Sequence, residues 1–137
     1  MVHYRQTNQY TFHELKQSEL AQAITHKHII MKRYGQLIGV KPEKFESYKR
    51  YHAAVWPEVL DMIKKCNISN YSIFHKDNML YAYFEYTGSD FNADMARMAA
   101  DPKTQEWWSI MEPMQAPVDT RGKGEWWADM EEVFHLD

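Results

Sequence analysis

The sequence is poor in features that define several large protein classes. It has one cysteine, Cys66, so no disulfide can form within the chain and no cysteine cluster can bind zinc. No apolar run approaches the roughly 20 residues of a membrane-spanning helix, and the first residues show no apolar core of a secretory signal. From these absences we expect a protein of the reducing cytoplasm.

An excess of basic residues is also missing. Sixteen Lys and Arg residues stand against nineteen Asp and Glu, for a formal net charge of −3, whereas nucleic-acid-binding domains usually carry a basic face. The sequence has no glycine-rich phosphate loop and no serine nucleophile elbow. His26 and His28 have no third ligand at a helpful spacing. We therefore expect no metal, no cofactor, and neither nucleic acid nor a membrane as partner.

Aromatic residues, in contrast, are plentiful. They make up 15% of the chain, with five Trp and nine Tyr, in a composition that is 45% hydrophobic and 26% charged. That balance is typical of one folded domain with one core. Rings with polar tips can fill such a core. They can also line a sugar pocket, because flat rings match the apolar C–H faces of a pyranose.

The chain divides into a polar start and a patterned remainder. Residues 1–28 form an N-terminal extension, in which a capping-box pattern and a thin apolar stripe predict a short helix over residues 12–25, or else an arm. Residues 29–137 form the domain. There, periodicity and turn residues predict a strand (28–40), a helix from residue 42 that Pro57 interrupts, a hairpin (68–75 and 79–87), helices (91–100 and 103–112), a loop (113–124) and a last strand (129–136).

The order β-α-β-β-α-β predicts an α+β, ferredoxin-like fold, with a four-stranded antiparallel sheet and helices on one face. The other face of the sheet also needs a cover. Nothing else in the chain is large enough, so we expect a homodimer packed sheet to sheet, as a dimeric α/β barrel-like assembly.

Two residues of the first helix are candidates for chemistry. Tyr48 and His52 lie four residues apart and share one helix face with Phe45 and Val59, so this face points at the sheet. His52 titrates nearest to neutral pH and is a candidate general acid/base. The same spacing also fits a hydrogen-bonded histidine of the core, and both interpretations stay open.

Three further aromatic residues belong to the same hypothesis. Adjacent residues of a helix point about 100° apart, so one of Trp107 and Trp108 can pack in the core while the other faces a cavity. Tyr71, near the start of a hairpin strand, can reach the same cleft between sheet and helices. Purely structural roles remain open for all three.

Five short motifs together resemble the L-rhamnose mutarotase family over about residues 30–136. They are Tyr48-x-x-x-His52, Trp56-Pro57-Glu58, Asn70-Tyr71, Trp107-Trp108 and Glu132-Val133-Phe134, in that order. The resemblance implies a small cytoplasmic enzyme, with a dimeric ferredoxin-like fold, that interconverts the α and β anomers of L-rhamnose. It implies that His52 is the proton donor. It also implies a set of residues that contact the sugar: Tyr48, Tyr71, Trp107 and Trp108.

The chain departs from the family pattern in three places. These are the extension over residues 1–28, an additional pair Trp126-Trp127, and Ala53-Ala54, where the family tends to carry Asn-Pro. The preferred sugar is therefore open between L-rhamnose and a related deoxyhexose such as L-fucose. Two other functions also remain open: a non-catalytic sugar-binding module, and a small dimeric monooxygenase or haem-degrading protein of the same fold.

Overall fold

A computed structural model describes residues 31–137. The predicted extension and its helix lie outside these residues and stay predictions. The strands are β1 Lys32–Val40, β2 Ile68–Lys76, β3 Met79–Tyr86, β4 Gln115–Ala116 and β5 Ala128–Met130, and the helices are α1 Phe45–His52, α2 Pro57–Lys65, α3 Phe91–Ala100 and α4 Pro102–Met111. None of the described helices is both long and apolar enough to cross a membrane.

The strands form one antiparallel sheet in the order β2-β3-β1-β4, with β5 also paired to β1. The long central strands β1 and β3 pair over all of β3, from Lys32 opposite Tyr86 to Gly39 opposite Met79. On its other edge β1 pairs with β4 at its C-terminal end and with β5 near its middle. The predicted α+β class with an antiparallel sheet is confirmed.

Alternation along β3 decides which face of the sheet is buried. Its even-numbered residues are buried and the odd-numbered ones are more exposed, as the period of two predicts; the buried set is Leu80, Ala82, Phe84 and Tyr86. Residues from all four helices pack on this face, among them Tyr48, Val59, Met98 and Trp107. The core therefore lies between the sheet and one layer of helices.

Pro57 divides the predicted first helix into α1 and α2. Proline lacks a backbone N–H and disfavours helical geometry in the residue before it. Trp56 is accordingly extended, with φ −58° and ψ 133°, and Pro57 takes the first position of α2. The backbone N–H groups of Val59 and Leu60 donate to the Trp56 carbonyl to begin the new helix. The break ends α1 at His52, so that His52 lies at an open helix end.

Two predictions about the end of the chain are wrong. The last strand covers only Ala128–Met130, and the apolar residues beyond it are exposed: Val133 by 88% and Phe134 by 79%. Beyond Met130 the chain still runs beside β1, since Arg33 of β1 and Glu132 form an ion pair, but the two backbones no longer pair. The predicted loop over 113–124 contains β4, whose contact with β1 is very close, since a Cβ on Gly39 would lie 2.6 Å from the Ala116 carbonyl oxygen.

Candidate active site

The C-terminal end of α1 carries a stacked pair of rings. Tyr48 and His52 are four residues apart on the helix, and their ring centroids lie 4.2 Å apart with a 25° angle between the planes. Tyr48 is buried and His52 is half-buried. The chain turns away at Ala53, so the outer side of the imidazole is not covered by a further turn of the helix.

The hydrogen bond of His52 defines which ring nitrogen carries its proton. Nδ1 lies 2.8 Å from the carbonyl oxygen of Tyr48. A carbonyl can only accept, so Nδ1 must be the donor, and in the neutral ring Nε2 then has the lone pair. The helix backbone thus fixes both the tautomer and the direction of the imidazole. Nε2 is left as a base.

Burial keeps this imidazole neutral. Loss of solvent lowers the pKa of His52 below its ordinary value, and the hydrogen bond to the Tyr48 carbonyl only partly opposes that change. Burial also raises the pKa of the Tyr48 hydroxyl, with a smaller opposite effect from its bond to Gln115. At neutral pH the pair therefore consists of a neutral base and a neutral phenol, one above the other.

Trp107, which lies on α4, packs against His52. Its ring is edge-on to the imidazole at a centroid distance of 5.5 Å, and edge-on to Trp56 at 5.2 Å. Trp107 is buried and belongs to the same core cluster as Tyr48. Trp108 points elsewhere, as neighbours on a helix must, and is half-buried between the two hydrophobic clusters of the core. Trp107 is therefore the member of the pair that touches the His52 ring.

A β-bulge aims Tyr71 at the helix-covered face of the sheet. Between the pairs Ser69–Glu85 and Ser72–Tyr83, two residues of β2 stand opposite one of β3. Asn70 takes a left-handed backbone with φ 47°, which Asn tolerates better than most residues. If the register of Ser69 opposite Glu85 continued without a bulge, Tyr71 would face the same side as Tyr83, away from the helices. The extra residue instead places it edge-on to the buried Phe84, 5.5 Å between centroids.

The Tyr71 hydroxyl is near enough to Tyr48 for the two to interact electrostatically. Although 42% of the residue is exposed, burial around its hydroxyl raises the pKa of Tyr71 well above its ordinary value, and the nearby Tyr48 adds to that effect. The structure thus brings together one histidine, two neutral phenols and the ring of Trp107. Trp108 is the predicted sugar-contacting residue with no aromatic pairing to this group.

Sequence reasoning missed Gln115 and named Trp126 only as part of an additional tryptophan pair, without a partner. The Nε2 of the buried Gln115 lies 3.3 Å from the Tyr48 hydroxyl, and Trp126 Nε1 donates to Gln115 Oε1 at 2.7 Å. Gln115 stands in a stretch with proline on both sides at residues 113 and 117, which indicated only a loop. The unusual Trp126-Trp127 pair was the one available signal, and it did not indicate a partner.

The described residues offer no alternative built on a metal. Within residues 31–137, no three His, Cys, Asp or Glu side chains are grouped so that they could hold a metal ion. His26 and His28 lie outside that range. Cys66 is buried, donates to the sulfur of Met62, and has a pKa that burial raises, so this thiol is poorly suited to act as a nucleophile. Acid–base chemistry is what the assembled groups can perform.

Comparison with known proteins identifies the family. The family model described as L-rhamnose mutarotase matches residues 33–136. An L-rhamnose mutarotase from Oceanobacillus iheyensis is 34% identical over 115 residues, which is 78% of this chain and 100% of the relative. One from Lactiplantibacillus plantarum is 33% identical over 113 residues, again 78% and 100%.

A solved structure agrees in fold. The crystal structure of an L-rhamnose mutarotase from Formosa agariphila matches with a TM-score of 0.61 at 24% identity, covering 77% of this chain and 99% of that one. The family match covers every strand and helix of the described domain apart from the first residue of β1. On this evidence the chain belongs to the L-rhamnose mutarotase family, enzymes that interconvert sugar anomers.

Proposed function

We propose that this protein interconverts the α and β anomers of L-rhamnose, or of a related deoxyhexose such as L-fucose, with His52 as its acid/base. The observation that carries the proposal is the bond from His52 Nδ1 to the Tyr48 carbonyl. It leaves Nε2 unprotonated on the ring that stacks on Tyr48, and burial keeps the hydroxyls of Tyr48 and Tyr71 neutral. A base and weak acids suit a reaction that moves two protons.

The chemical step requires one proton to leave and one to arrive. Neutral His52 takes the proton of the anomeric hydroxyl at Nε2 while a tyrosine hydroxyl protonates the ring oxygen. The bond between C1 and the ring oxygen breaks as the C1 carbonyl forms. Rotation about C1–C2 turns the aldehyde. The C5 hydroxyl then attacks the other face of the carbonyl and returns its proton to the tyrosinate. The histidinium returns its proton to the new anomeric oxygen, so the enzyme ends unchanged.

The aromatic rings supply binding. The edge of Trp107 and the ring of Tyr71 border the region around His52, and flat apolar rings suit the C–H face of a deoxy sugar. Trp108 is assigned to the sugar on the family resemblance. Tyr48 and Tyr71 hydroxyls are assigned to orient sugar hydroxyls in the same way. No cofactor takes part in this scheme.

A dimer with a ferredoxin-like protomer is the second part of the proposal. The strand order β2-β3-β1-β4, with helices on one face, supports the ferredoxin-like topology. The other face carries a cross-strand row of Phe74, Tyr81 and Leu37, with Phe74 66% and Tyr81 40% exposed. Exposed rings of this kind favour burial against a second copy. Phe74→Lys should shift the protein to monomer in sedimentation velocity. The cytoplasmic location remains a prediction from the sequence.

The deciding experiment is saturation-transfer NMR on the anomeric protons of L-rhamnose and then L-fucose, with a catalytic amount of protein. We expect irradiation of one anomer to reduce the signal of the other well beyond the uncatalysed exchange. Broadening of the sugar signals without faster exchange would instead identify a sugar-binding module. Neither effect with any deoxyhexose would overturn the proposal, and a haem titration would then test the monooxygenase alternative.

A further inference from the structure

The Trp126–Gln115 pair runs from the surface to the hydroxyl of Tyr48. Trp126 is 42% exposed, Gln115 is 7% exposed and Tyr48 is 4% exposed, so the hydrogen bonds lead from solvent into the core. The two hydrogen bonds join residues 11 and 67 positions apart in the sequence. The connection exists because β4 and β5 both pair with β1, which brings the residues next to them together.

The chemistry of the three groups sets the direction of every hydrogen bond. An indole N–H can only donate, so the atom of Gln115 that faces Trp126 at 2.7 Å must be the amide oxygen. The amide nitrogen then faces Tyr48, and an amide nitrogen can only donate. The Tyr48 oxygen is therefore the acceptor in that bond. Its own proton has to point away from Gln115, toward another acceptor.

Hydrogen bonds within residues 122–129 hold this segment, and with it Trp126, in place. The Glu125 carboxylate accepts the backbone N–H of Gly122 at 2.6 Å and that of Asp129 at 3.3 Å. These bonds lower the pKa of Glu125, so the carboxylate stays charged near neutral pH. Gly124 makes the turn with φ 81°, a backbone that glycine adopts without strain. Trp127 anchors the same segment by packing on the core.

We propose that Gln115 and Trp126 are positioning residues that hold the Tyr48 hydroxyl as a hydrogen-bond donor toward the sugar. This inference rests on the proposed function, because the sugar of that function is the group to which the Tyr48 hydroxyl donates. A freely rotating phenol would share its proton between Gln115 and the sugar. With the amide nitrogen as its fixed neighbour, the phenol has only one useful direction for its proton. The hydroxyl is thus oriented before the sugar binds.

Gln115→Glu reverses the polarity at nearly constant shape. A carboxylate still accepts from Trp126, but it cannot donate, so the Tyr48 proton turns toward the carboxylate and is lost to the sugar. Burial raises the pKa of a carboxyl group placed there. Once protonated, that group can again donate to the Tyr48 oxygen. We expect kcat/KM to fall roughly tenfold at high pH, the value of one hydrogen bond to a charged group, and the deficit relative to wild type to shrink as pH falls.

Trp126→Phe is the neutral companion variant. It keeps a ring but removes the Nε1–H that donates to the Gln115 oxygen, so we expect kcat/KM to fall roughly fivefold. Trp127→Phe is the matched control: phenylalanine keeps the apolar packing of this side chain on the core and removes no hydrogen bond to Gln115, so kcat/KM should stay at the wild-type value. Gln115→Met alone and combined with Trp126→Phe completes a double-mutant cycle. The second substitution should add nothing once Gln115 has been replaced.

The outcomes separate this inference from the proposed function. If wild type exchanges anomers and His52→Phe does not, while Gln115→Glu keeps wild-type kcat/KM at every pH, the positioning role is refuted. A deficit in Gln115→Glu that is constant with pH, or losses that add in the cycle, would also refute it. If wild type itself does not exchange anomers, the proposed function has failed first. Circular dichroism melts of each variant identify any loss that comes from unfolding.

Discussion

His52→Phe tests the acid/base assignment with little change in shape. The phenyl ring can keep the stack on Tyr48, where the centroids are 4.2 Å apart, and the edge contact with Trp107 at 5.5 Å. What it removes is the Nδ1–H bond to the Tyr48 carbonyl and the basic Nε2. An alanine would in addition remove the packing and confuse the two effects. Phenylalanine therefore isolates the chemistry of the imidazole.

Two magnitudes follow from these contacts. Loss of one intramolecular hydrogen bond lowers the free energy of unfolding by about 1 kcal/mol. The phenyl ring has no polar group to desolvate, so burying it offsets part of this loss of stability. The melting temperature should then fall by at most about 4 °C. Loss of a positioned general acid/base should slow anomer exchange by about 100-fold or more. The effect on activity should greatly exceed the effect on stability.

The assay is the rate of saturation transfer between the anomeric protons at equal protein concentration, with melting followed by circular dichroism. His75→Phe is the matched control, because His75 also stacks on a ring, that of Phe45 at 3.6 Å, but lies on β2 and is exposed. It should keep wild-type exchange. A His52→Phe enzyme that loses less than about tenfold would refute the assignment of His52 as the main acid/base.

Three further predictions follow from the same geometry. Because burial lowers the pKa of His52, kcat/KM should rise with pH through a value below 6.5 and stay level above it. Neutral His52 also contributes to stability. In denaturation curves that contribution should be full above about pH 6.5 and be lost as the pH falls through the lowered pKa of His52. Asn70→Ala should lower both stability and exchange by straining the bulge that aims Tyr71, whereas Asn70→Gly should keep exchange. Gly39→Ala should lower the free energy of unfolding in urea by about 1–3 kcal/mol, because the new Cβ would lie 2.6 Å from a carbonyl oxygen of β4. Gly35→Ala is its control and should be nearly neutral, because its Cβ would meet the flexible end of a methionine side chain at 3.3 Å.

Local patterns determined most of the regular structure. The hairpin turn at Asp77-Asn78 has φ 51° and 63°, as a two-residue type I′ turn requires, and Asn and Asp are residues that tolerate it. Asp90 caps α3 by accepting the N–H of Ala93 at 3.0 Å. These features depend on residues within a few positions of each other. Sequence therefore specifies them without knowledge of the rest of the chain.

The end of the chain was predicted less well because its structure depends on a distant strand. The pattern over residues 129–136 alternates as a strand does, but backbone pairing with β1 ends at Met130 opposite Gly35. In the stretch before it, the two residues of β4 pair with β1 at Gly39 and Val40, where the missing side chain of Gly39 allows a close approach. Whether a short segment becomes a strand is decided by its partner, and local propensity carries no information about the partner.

The candidate site shows the same division. The sequence by itself determined that Tyr48 and His52 share a helix face, because helical spacing fixes that relation, and its motifs indicated the family. Only the tertiary structure decided that Tyr71 lies on the helix-covered face after a bulge, that Trp107 rather than Trp108 touches the imidazole, and that hydrogen bonds join Trp126 to Gln115 and Gln115 to the Tyr48 hydroxyl. Those contacts join residues from 11 to 67 positions apart, and only the packing of strands and helices brings such residues within hydrogen-bonding distance.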